Sequence, residues 1–427
     1  MIKSLIRLYR RVYRAVGLTV FAAGLLMTPF LGFFVRKIPE NIPNIPLIYV
    51  LNLANASISY FFSYKSTLLF VHQKKYIETT IRAVVSLAAT TAQIAVLLWT
   101  KNYLYYLFLA IGATVAQNAA VSINADRLFP YLREKDVRPL PKGTLEEISR
   151  NVRAMLLHRI GTVAVFNTDN LLISKFVGVA AAGLYSNYMM IRGFLNIMVS
   201  ALFDAITPTM GNLAATEAEE RTQISFHRLF FFSAWLFGWM SICLFCLYDP
   251  FIDLWLGEGY LLSKPAVLLI VLNFYVNSMR TPVNNTKSVL GLFWDDRYKS
   301  IVEAVFNLAV SVLLAGSWGV EGIMAGTLVS SIAFPLWCEP LVLYSRGLHA
   351  PVRRYFARYL VHLAVTFAAG ALTWALCGLT SGGAAGFILK AAICVVIPNL
   401  FFLISYHRTQ EFAFFADAGK DLIQKVS

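Results

Sequence analysis

Charged side chains stand inside long apolar stretches of this sequence, where their presence needs a chemical reason. Lys65, Arg159 and Arg192 are basic, and Asp169 is acidic. An ionisable group at bilayer depth costs at least about 2.5 kcal/mol, so it needs a partner, a wet cavity or a route to the interface. The three cations are candidates for binding an anionic group such as a phosphate. Asp169 is a candidate for an ion pair, which we predict with Arg192, or for coupling to an ion.

Polar residues recur in the same stretches at spacings of three to four residues, which places them on single helical faces. The stripes are Asn52, Asn55, Ser59, Ser63 and Ser66; Arg159, Thr162, Phe166 and Asp169–Asn170; Tyr185, Tyr188, Arg192, Asn196, Ser200 and Asp204; and Asn273, Asn277 and Thr281. Four stripes on separate helices favour a shared polar cavity. Polar residues that only join neighbouring helices would give the same pattern.

The elements that must position these residues are membrane spans. The 427-residue chain is 58% hydrophobic and 14% charged, with a mean hydropathy of +0.63, which is typical of membrane proteins. With about 20 apolar residues per span, the sequence predicts about twelve spanning helices and an all-α, polytopic fold. They lie near 16–35, 46–71, 80–99, 103–124, 154–176, 183–209, 229–248, 264–283, 300–316, 320–343, 355–377 and 385–406.

The net charge of +14 would suggest a nucleic-acid partner if the basic residues formed one patch. They alternate instead: most of the 37 Lys and Arg fall in segments on one side of the predicted membrane. By the positive-inside rule this side is the cytoplasm, which places both termini there and excludes nucleic acid as a partner.

No pattern typical of catalysis or of a cofactor stands out. The six histidines form no HxxxH or HExxH motif. Cys243 and Cys246 form a CxxC without a second pair or a histidine, and Cys338, Cys377 and Cys394 also lie in apolar stretches. Thiols in such places usually behave as small hydrophobes. We therefore expect no enzyme activity, no cofactor and no metal.

An internal repeat organises the chain. Pro29-Phe30 and Pro250-Phe251 lie 221 residues apart, and the same displacement relates Asn52 to Asn273. Equal topology in both copies predicts two pseudo-symmetric lobes related by an axis near the membrane normal, with the cavity between them. The expected domains are a four-span lobe at 1–145, a six-span lobe at 146–345 and a helix pair with a tail at 346–427. On this reading the first lobe lacks two helices.

Three segments carry a resemblance to a known family. They are SLIRLYRRVYRAVG (4–17), SYKSTLLFVHQKKY (63–76) and LHRIGTVAVFNTDNLLISKFVGVAAAGLYSNYMMI (157–191). The sequence resembles bacterial polysaccharide exporters, the O-antigen flippase-like members of the multidrug/oligosaccharidyl-lipid/polysaccharide (MOP) superfamily. The resemblance implies two six-helix lobes around a cavity that opens alternately to each side of the membrane, and it marks the first two spans as absent here.

The resemblance implies a flippase in the bacterial cytoplasmic membrane that translocates a lipid-linked oligosaccharide or polysaccharide precursor. An undecaprenyl-pyrophosphate carrier would place its pyrophosphate on Arg159, Arg192 and Lys65 and its sugars on Asn167, Asn170 and Tyr185. Its partners are then the lipid bilayer and other polysaccharide assembly proteins. Two alternatives remain: a multidrug-type cation antiporter of the same superfamily, and a membrane-embedded polysaccharide polymerase or ligase.

Overall fold

The fold is helical throughout the part of the chain that the computed structural model describes, with no strand in it. The described residues are 2–34, 44–72, 74–130, 143, 146, 168–216, 219–292, 295–296 and 298–426. The chain divides into two compact units, Met1–Val152 and Arg153–Ser427.

The N-terminal unit contains six described helices, joined by short connections where these are described. They are α1 (Ile2–Met27), α2 (Leu31–Phe34), α3 (Ile45–Tyr60), α4 (Ser63–Val71), α5 (Lys75–Thr100) and α6 (Tyr103–Leu128). Helix α6 packs against α3, α4 and α5, and α1 packs against α3. Helices α3 and α4 together form one bent span, with an angle of 43° at the break.

The C-terminal unit is built around one long, largely buried helix. Its longer helices in the described residues, and two short ones, are α7 (Val179–Thr216), α8 (Glu219–Leu256), α9 (Lys264–Ser278), α10 (Thr281–Val289), α11 (Lys299–Ala333), α12 (Pro335–Val342), α13 (Arg353–Gly378), α14 (Gly383–Tyr406) and α15 (Gln410–Val426). Residues 168–176 are also helical. Helix α8 packs against α7, α9 and α10 and also against α13 and α14.

Two apolar clusters hold this unit together, and both include residues of α8. The larger one joins α8 to α7 and α9 and includes Phe226, Phe237 and Phe274. The second joins α8 to α13 and α14 and includes Cys246 and Phe402. Burial of such aromatic and aliphatic side chains fixes which helices are neighbours, even where lipid rather than water surrounds the protein.

Helix α11 doubles back on itself. Gly319, with φ +56° and ψ −125°, interrupts it, and a residue with a Cβ is strained at such a φ. The two halves then run side by side, since Ser311 Oγ bonds the Ile323 carbonyl at 3.3 Å and Asn307 Nδ2 bonds Thr327 Oγ1 at 3.0 Å. This hairpin corresponds to the two spans predicted near 300–316 and 320–343.

The predicted polytopic, all-α class is confirmed. Eight described helices are long and apolar enough to cross a membrane, or nine if the bent pair α3–α4 is one span. Large apolar side chains on them are exposed: Trp99 is 86%, Phe367 77% and Leu313 76% accessible. Such continuous apolar surface suits lipid rather than water. The chain is therefore a multi-pass membrane protein.

Individual predicted spans differ from this set in three places, the first being the α11 hairpin, which counts once in the set and stands for two predicted spans. The predicted sixth span corresponds to α7, which is not one of the helices that meet the length and hydropathy criteria for a span. The predicted fifth span lies largely outside the described residues, of which 168–176 form its helical end.

Candidate functional site

A polar cavity of about 450 Å³ lies within the C-terminal unit. It is bordered by residue 170, by one face of α7 and by the junction of α9 with α10. Its lining consists of Asn170, Tyr185, Met189, Arg192, Gly193, Asn196, Asn277, Ser278 and Thr281. The volume falls in the range typical of ligand pockets.

Helical periodicity explains why α7 contributes so much of this lining. Tyr185, Met189, Arg192 and Asn196 follow one another at intervals of four, three and four residues, which keeps them on one face. Gly193 leaves room beside them, because an added Cβ would have no atom within 4 Å. The predicted stripe on this helix therefore does face a polar cavity.

The opposite wall comes from a break between two helices. Helix α9 ends at Ser278 and α10 begins at Thr281, with Pro282 in the first turn of α10. Proline lacks an N–H donor and suits the start of a helix, so it favours a break here. Asn277 and Thr281 of the fourth predicted stripe thus join Tyr185 and Arg192 around one cavity.

Arg192 is the cation of this cavity, and its guanidinium is poorly paired. Its Nη1 contacts the Met189 sulfur at 3.9 Å, and its Nε is buried with no hydrogen-bond partner among the described residues. A buried, unsatisfied donor on a charged group costs more than about 1–3 kcal/mol. The Arg192 side chain also lines the cavity, where an anionic ligand would be attracted by its charge.

Asp169 lies next to Asn170 and interacts with Tyr185 of the cavity lining, but its closest hydrogen bond leads away from the cavity. Its side chain is buried, with a relative accessibility of 5%, and its Oδ1 accepts a hydrogen bond from Thr327 Oγ1 at 3.0 Å. Asn307 Nδ2 in turn bonds Thr327 Oγ1 at 3.0 Å, while the Asn307 Oδ1 atom has no partner among the described residues. The carboxylate thus belongs to a polar cluster with the α11 hairpin.

The direct ion pair predicted between Asp169 and Arg192 is not formed in this conformation. No contact within 4.0 Å joins the two groups, although both are described. Arg192 acts on the Asp169 carboxylate only electrostatically. The sequence places both charges inside apolar stretches, but it does not tell which neighbour Asp169 faces, and the Thr327 hydroxyl occupies that position.

The structure brings together some of the other predicted site residues. Asn170 and Tyr185 line the cavity with Arg192. Arg159 and Asn167 lie outside the described residues. Lys65 belongs to the N-terminal unit, where its Nζ lies 2.7 Å from Asp126 Oδ2 and donates to Ser122 Oγ at 2.6 Å. Its charge is thus balanced within that unit.

A buried charge cluster beside the cavity was missed by the sequence reasoning. Arg280 donates to Glu339 at 3.0 and 2.8 Å, to Glu303 at 3.1 and 3.4 Å, and to Asn277 Oδ1 at 2.8 Å. These five bonds use all five N–H groups of a guanidinium. Because Asn277 also lines the cavity, the cluster and the cavity share a residue.

Three more charged groups complete the cluster. Lys299 pairs with Glu339 and lies 4.0 Å from Asp296, and Asp296 pairs with Lys287. With Arg280 and Glu303 the cluster holds three cations and three anions, so it is neutral. A signal existed in the sequence: Arg280 follows Asn277 by three residues and continues its stripe. Glu303 and Glu339 lie inside predicted spans, where acidic residues need a partner.

The two sets of charges therefore differ in kind. The Arg280 cluster is internally satisfied, which is typical of a group that holds helices together. The Arg192 side chain lines a cavity, and its Nε has no hydrogen-bond partner among the described residues. An incompletely bonded charged group beside a cavity is typical of a ligand-binding site.

Comparison with known proteins defines the class. Residues 131–265 match the family model described as "Polysaccharide biosynthesis protein", a range that includes the α7 wall of the cavity. Comparison with curated proteins found no match.

Solved structures match over most of the chain. The lipid II flippase MurJ, in an inward closed conformation, aligns over 94% of this chain and 84% of its own, with a TM-score of 0.64 and 12% identity. The Vibrio cholerae MATE transporter VcmN, in its bent form, aligns over 82% and 79%, with a TM-score of 0.55 and 17% identity. An inward-facing multidrug resistance MATE family transporter of the MOP superfamily aligns over 81% and 82%, with a TM-score of 0.57 and 12% identity.

These matches confirm the resemblance drawn from the sequence. The chain shares its helical fold with the lipid II flippase MurJ and with the two MATE transporters. Residues 131–265 match a polysaccharide biosynthesis family model, and the three structures compared above are described as a flippase and as transporters.

Proposed function

We propose that this protein is a flippase that moves a lipid-linked oligosaccharide precursor across the bacterial cytoplasmic membrane by alternating access. Its substrate carries an anionic pyrophosphate on an undecaprenyl-type lipid, and both termini face the cytoplasm. The protein catalyses no covalent step, so its work is to lower the barrier for a polar headgroup to cross an apolar layer.

The observation that carries this proposal is that Arg192 lines the cavity while its guanidinium is incompletely hydrogen-bonded by the described residues. Its guanidinium lines a cavity of about 450 Å³ with its Nε buried and unpartnered in the described part of the chain. A guanidinium can bond a phosphate through two parallel N–H donors, and such charge-assisted bonds are about twice as strong as neutral ones. An anionic headgroup is therefore a suitable occupant.

The remaining lining suits sugars. Asn170, Asn196 and Asn277 offer amide donors and acceptors, and Thr281 offers a hydroxyl, which are the partners that sugar hydroxyl groups need. Tyr185 adds an aromatic surface. Arg159 and Asn167, on the same predicted helix as Asp169, remain proposed contacts. Lys65 is a proposed contact only in a conformation that releases it from Asp126.

Asp169 is proposed to couple transport to an ion. It is a buried carboxylate that accepts a hydrogen bond from the neutral Thr327 hydroxyl and has no ion-pair partner among the described residues, so its negative charge is incompletely balanced. Uptake of a proton or a small cation there would neutralise it. The electrostatic link to Arg192 then makes ion uptake and phosphate binding sensitive to each other.

An export assay tests the proposal in a bacterial host that lacks its own flippase and depends on the introduced one. Arg192→Ala should abolish export at an unchanged protein level in the membrane. Arg192→Lys should restore part of it, since lysine keeps the charge without the planar fork. Arg353→Ala is the matched control, because Arg353 is exposed at the start of α13 and outside the cavity.

A multidrug-type cation exporter is the second candidate, favoured by the fold match with the MATE transporters. In that case Arg192 would repel the substrate, and Arg192→Ala would preserve or raise resistance to cationic compounds. Export by the Arg192→Ala variant at the control level would contradict the flippase proposal.

A further inference from the structure

Four of the five cysteines converge at one place in the C-terminal unit, from three different helices. The Sγ atoms of Cys246, Cys377 and Cys394 all lie within 4.8 Å of one another, and the Cys377 and Cys394 sulfurs are 3.9 Å apart. Cys243 lies beside them, with its Sγ 3.6 Å from the Cys394 carbonyl oxygen. The CxxC of α8 thus finds its second pair on α13 and α14.

The spacing of these sulfurs is compatible with a metal ion and too long for a disulfide. A tetrahedral zinc site has Zn–S bonds of about 2.3 Å, which places its sulfurs about 3.8 Å apart. The separation of 3.9 Å between Cys377 and Cys394 matches that edge. A disulfide needs an S–S distance of about 2.0 Å, so it would require the helices to shift.

The surroundings favour a divalent ion. Cys246, Cys377 and Cys394 are all buried in the apolar cluster between α8, α13 and α14. Three thiolates around Zn²⁺ leave one negative charge, which would be costly to bury alone. Lys390 lies one turn before Cys394 and acts electrostatically on the Cys377 thiol, so its positive charge offsets part of that cost. With Cu⁺ the same three thiolates would leave two negative charges and only one cation nearby.

Apolar packing alone explains this arrangement of cysteines less well than a metal site does. A single buried cysteine is often a small hydrophobe, but that reading does not require four sulfurs from three helices to meet. Trp239 Nε1 bonds the Cys394 carbonyl at 3.0 Å, so the backbone beside the thiols is also fixed. The backbone of Cys394 is thus held against α8, and a metal site requires that its ligands be held in place.

We propose that Cys246, Cys377 and Cys394 form a three-thiolate site for a thiophilic ion with a filled d shell, with Zn²⁺ as the favoured ion and Cys243 beside the fourth position. Binding releases the thiol protons and replaces them with metal–sulfur bonds. The ion fastens the α13–α14 helix pair to α8. The site is independent of the proposed transport cavity.

Metal content and a cadmium titration of the full-length protein in detergent test this proposal. Protein from zinc-replete cells should contain about one zinc per chain by elemental analysis, and copper in its place would identify the monovalent ion. After removal of metal by a chelator, Cd²⁺ should give thiolate-to-metal charge-transfer absorbance that saturates near one equivalent and should raise the melting temperature.

The Cys246→Ser, Cys377→Ser and Cys394→Ser variants should each weaken Cd²⁺ binding by about tenfold or more, since even outer contacts of metal sites are worth about 10–100-fold. Cys338→Ser is the matched control, because Cys338 is the one cysteine outside the cluster, and it should bind Cd²⁺ like the wild type. Absence of saturable charge-transfer absorbance in the reduced wild-type protein would overturn the proposal. A Cys377–Cys394 disulfide in freshly isolated protein would do the same. Both results come from the unmodified chain, so they stand even if a serine variant fails to fold.

Discussion

Replacing Arg280 with methionine is expected to weaken the C-terminal unit severely. The change keeps most of the aliphatic volume but removes a guanidinium whose five N–H groups are all bonded. Glu339 keeps Lys299 as a partner. Glu303 keeps none, since Arg280 is its sole ion-pair partner in the described parts of the chain.

The magnitude follows from burial. The side chains of Arg280 and Glu303 are 10% and 4% accessible, so Glu303 would remain an unpaired charge in an apolar region. Removing one partner of such a buried pair costs about 3–5 kcal/mol. A more accessible pair gives the scale for comparison: Arg82 and Glu78 lie four residues apart on α5, and their side chains are 44% and 13% accessible. Pairs of that kind contribute about 0.3–0.5 kcal/mol.

Equilibrium unfolding in mixed micelles, followed by tryptophan fluorescence, measures both changes. Arg280→Met should lower the free energy of unfolding by about 3–5 kcal/mol, and Arg82→Met should leave it almost unchanged. The double variant Arg280→Met with Glu303→Gln removes the orphaned charge together with its partner. It should recover about 2 kcal/mol of the loss, as a coupled pair does in a double-mutant cycle.

Two results would refute this reasoning. If Arg280→Met costs no more than Arg82→Met, the cluster does not hold the unit together. If the double variant loses the sum of both single losses, then the cost of Arg280→Met comes from lost packing rather than from an unpaired carboxylate.

Three further outcomes follow from the structure. Gly326→Ala should destabilise the α11 hairpin by about 1–3 kcal/mol, because the added Cβ would lie 2.7 Å from backbone atoms of the facing half, whereas Gly316→Ala, with no atom within 4 Å, should be tolerated in the same unfolding assay. Lys65→Met should increase hydrogen exchange in α4 and α6, since it leaves Asp126 without the ammonium 2.7 Å away; unchanged exchange would mean that the pair contributes nothing. Asp169→Asn should leave a folded protein whose transport no longer responds to an imposed ion gradient, and retained response would exclude Asp169 as the coupling group.

The membrane class and most of the spans could be predicted from the sequence because lipid imposes a simple rule. A span needs about 20 apolar residues, and the regions predicted near 80–99, 229–248 and 385–406 each correspond to a spanning helix, Tyr76–Thr100, Glu219–Leu256 and Gly383–Tyr406. The α11 hairpin was also predictable as two spans. Its turn at Gly319 depends on a positive φ, which a sequence signals only through the glycine itself.

The cavity was predictable in part, for a related reason. Helical periodicity groups Tyr185, Arg192 and Asn196 on one face, and the fourth stripe groups Asn277 with Thr281. Periodicity does not tell which face of one helix meets which face of another. The structure brings these two stripes together.

The side-chain contacts between helices could not be predicted from the sequence. The sequence shows that Asp169 and Arg192 both lie in apolar stretches. It does not show that the Thr327 hydroxyl donates a hydrogen bond to the Asp169 carboxylate. Cys377 and Cys394 carry no signal until α13 and α14 pack on α8. Arg280 could have been included, because it extends a stripe already recognised, whereas its two carboxylates lie 23 and 59 residues away.

Lipid translocation in proteoliposomes tests the central claim most directly. Vesicles of bacterial lipids containing the purified full-length protein would be loaded with a fluorescent disaccharide linked to polyprenyl pyrophosphate. The fraction of probe that a membrane-impermeant quencher cannot reach is then followed with time. The wild-type protein and Arg353→Ala should carry probe between leaflets at equal rates, while Arg192→Ala should not exceed protein-free vesicles. Equal translocation by Arg192→Ala and the wild type, or none by the wild type while a cationic dye is transported, would contradict a flippase that recognises an anionic headgroup through Arg192.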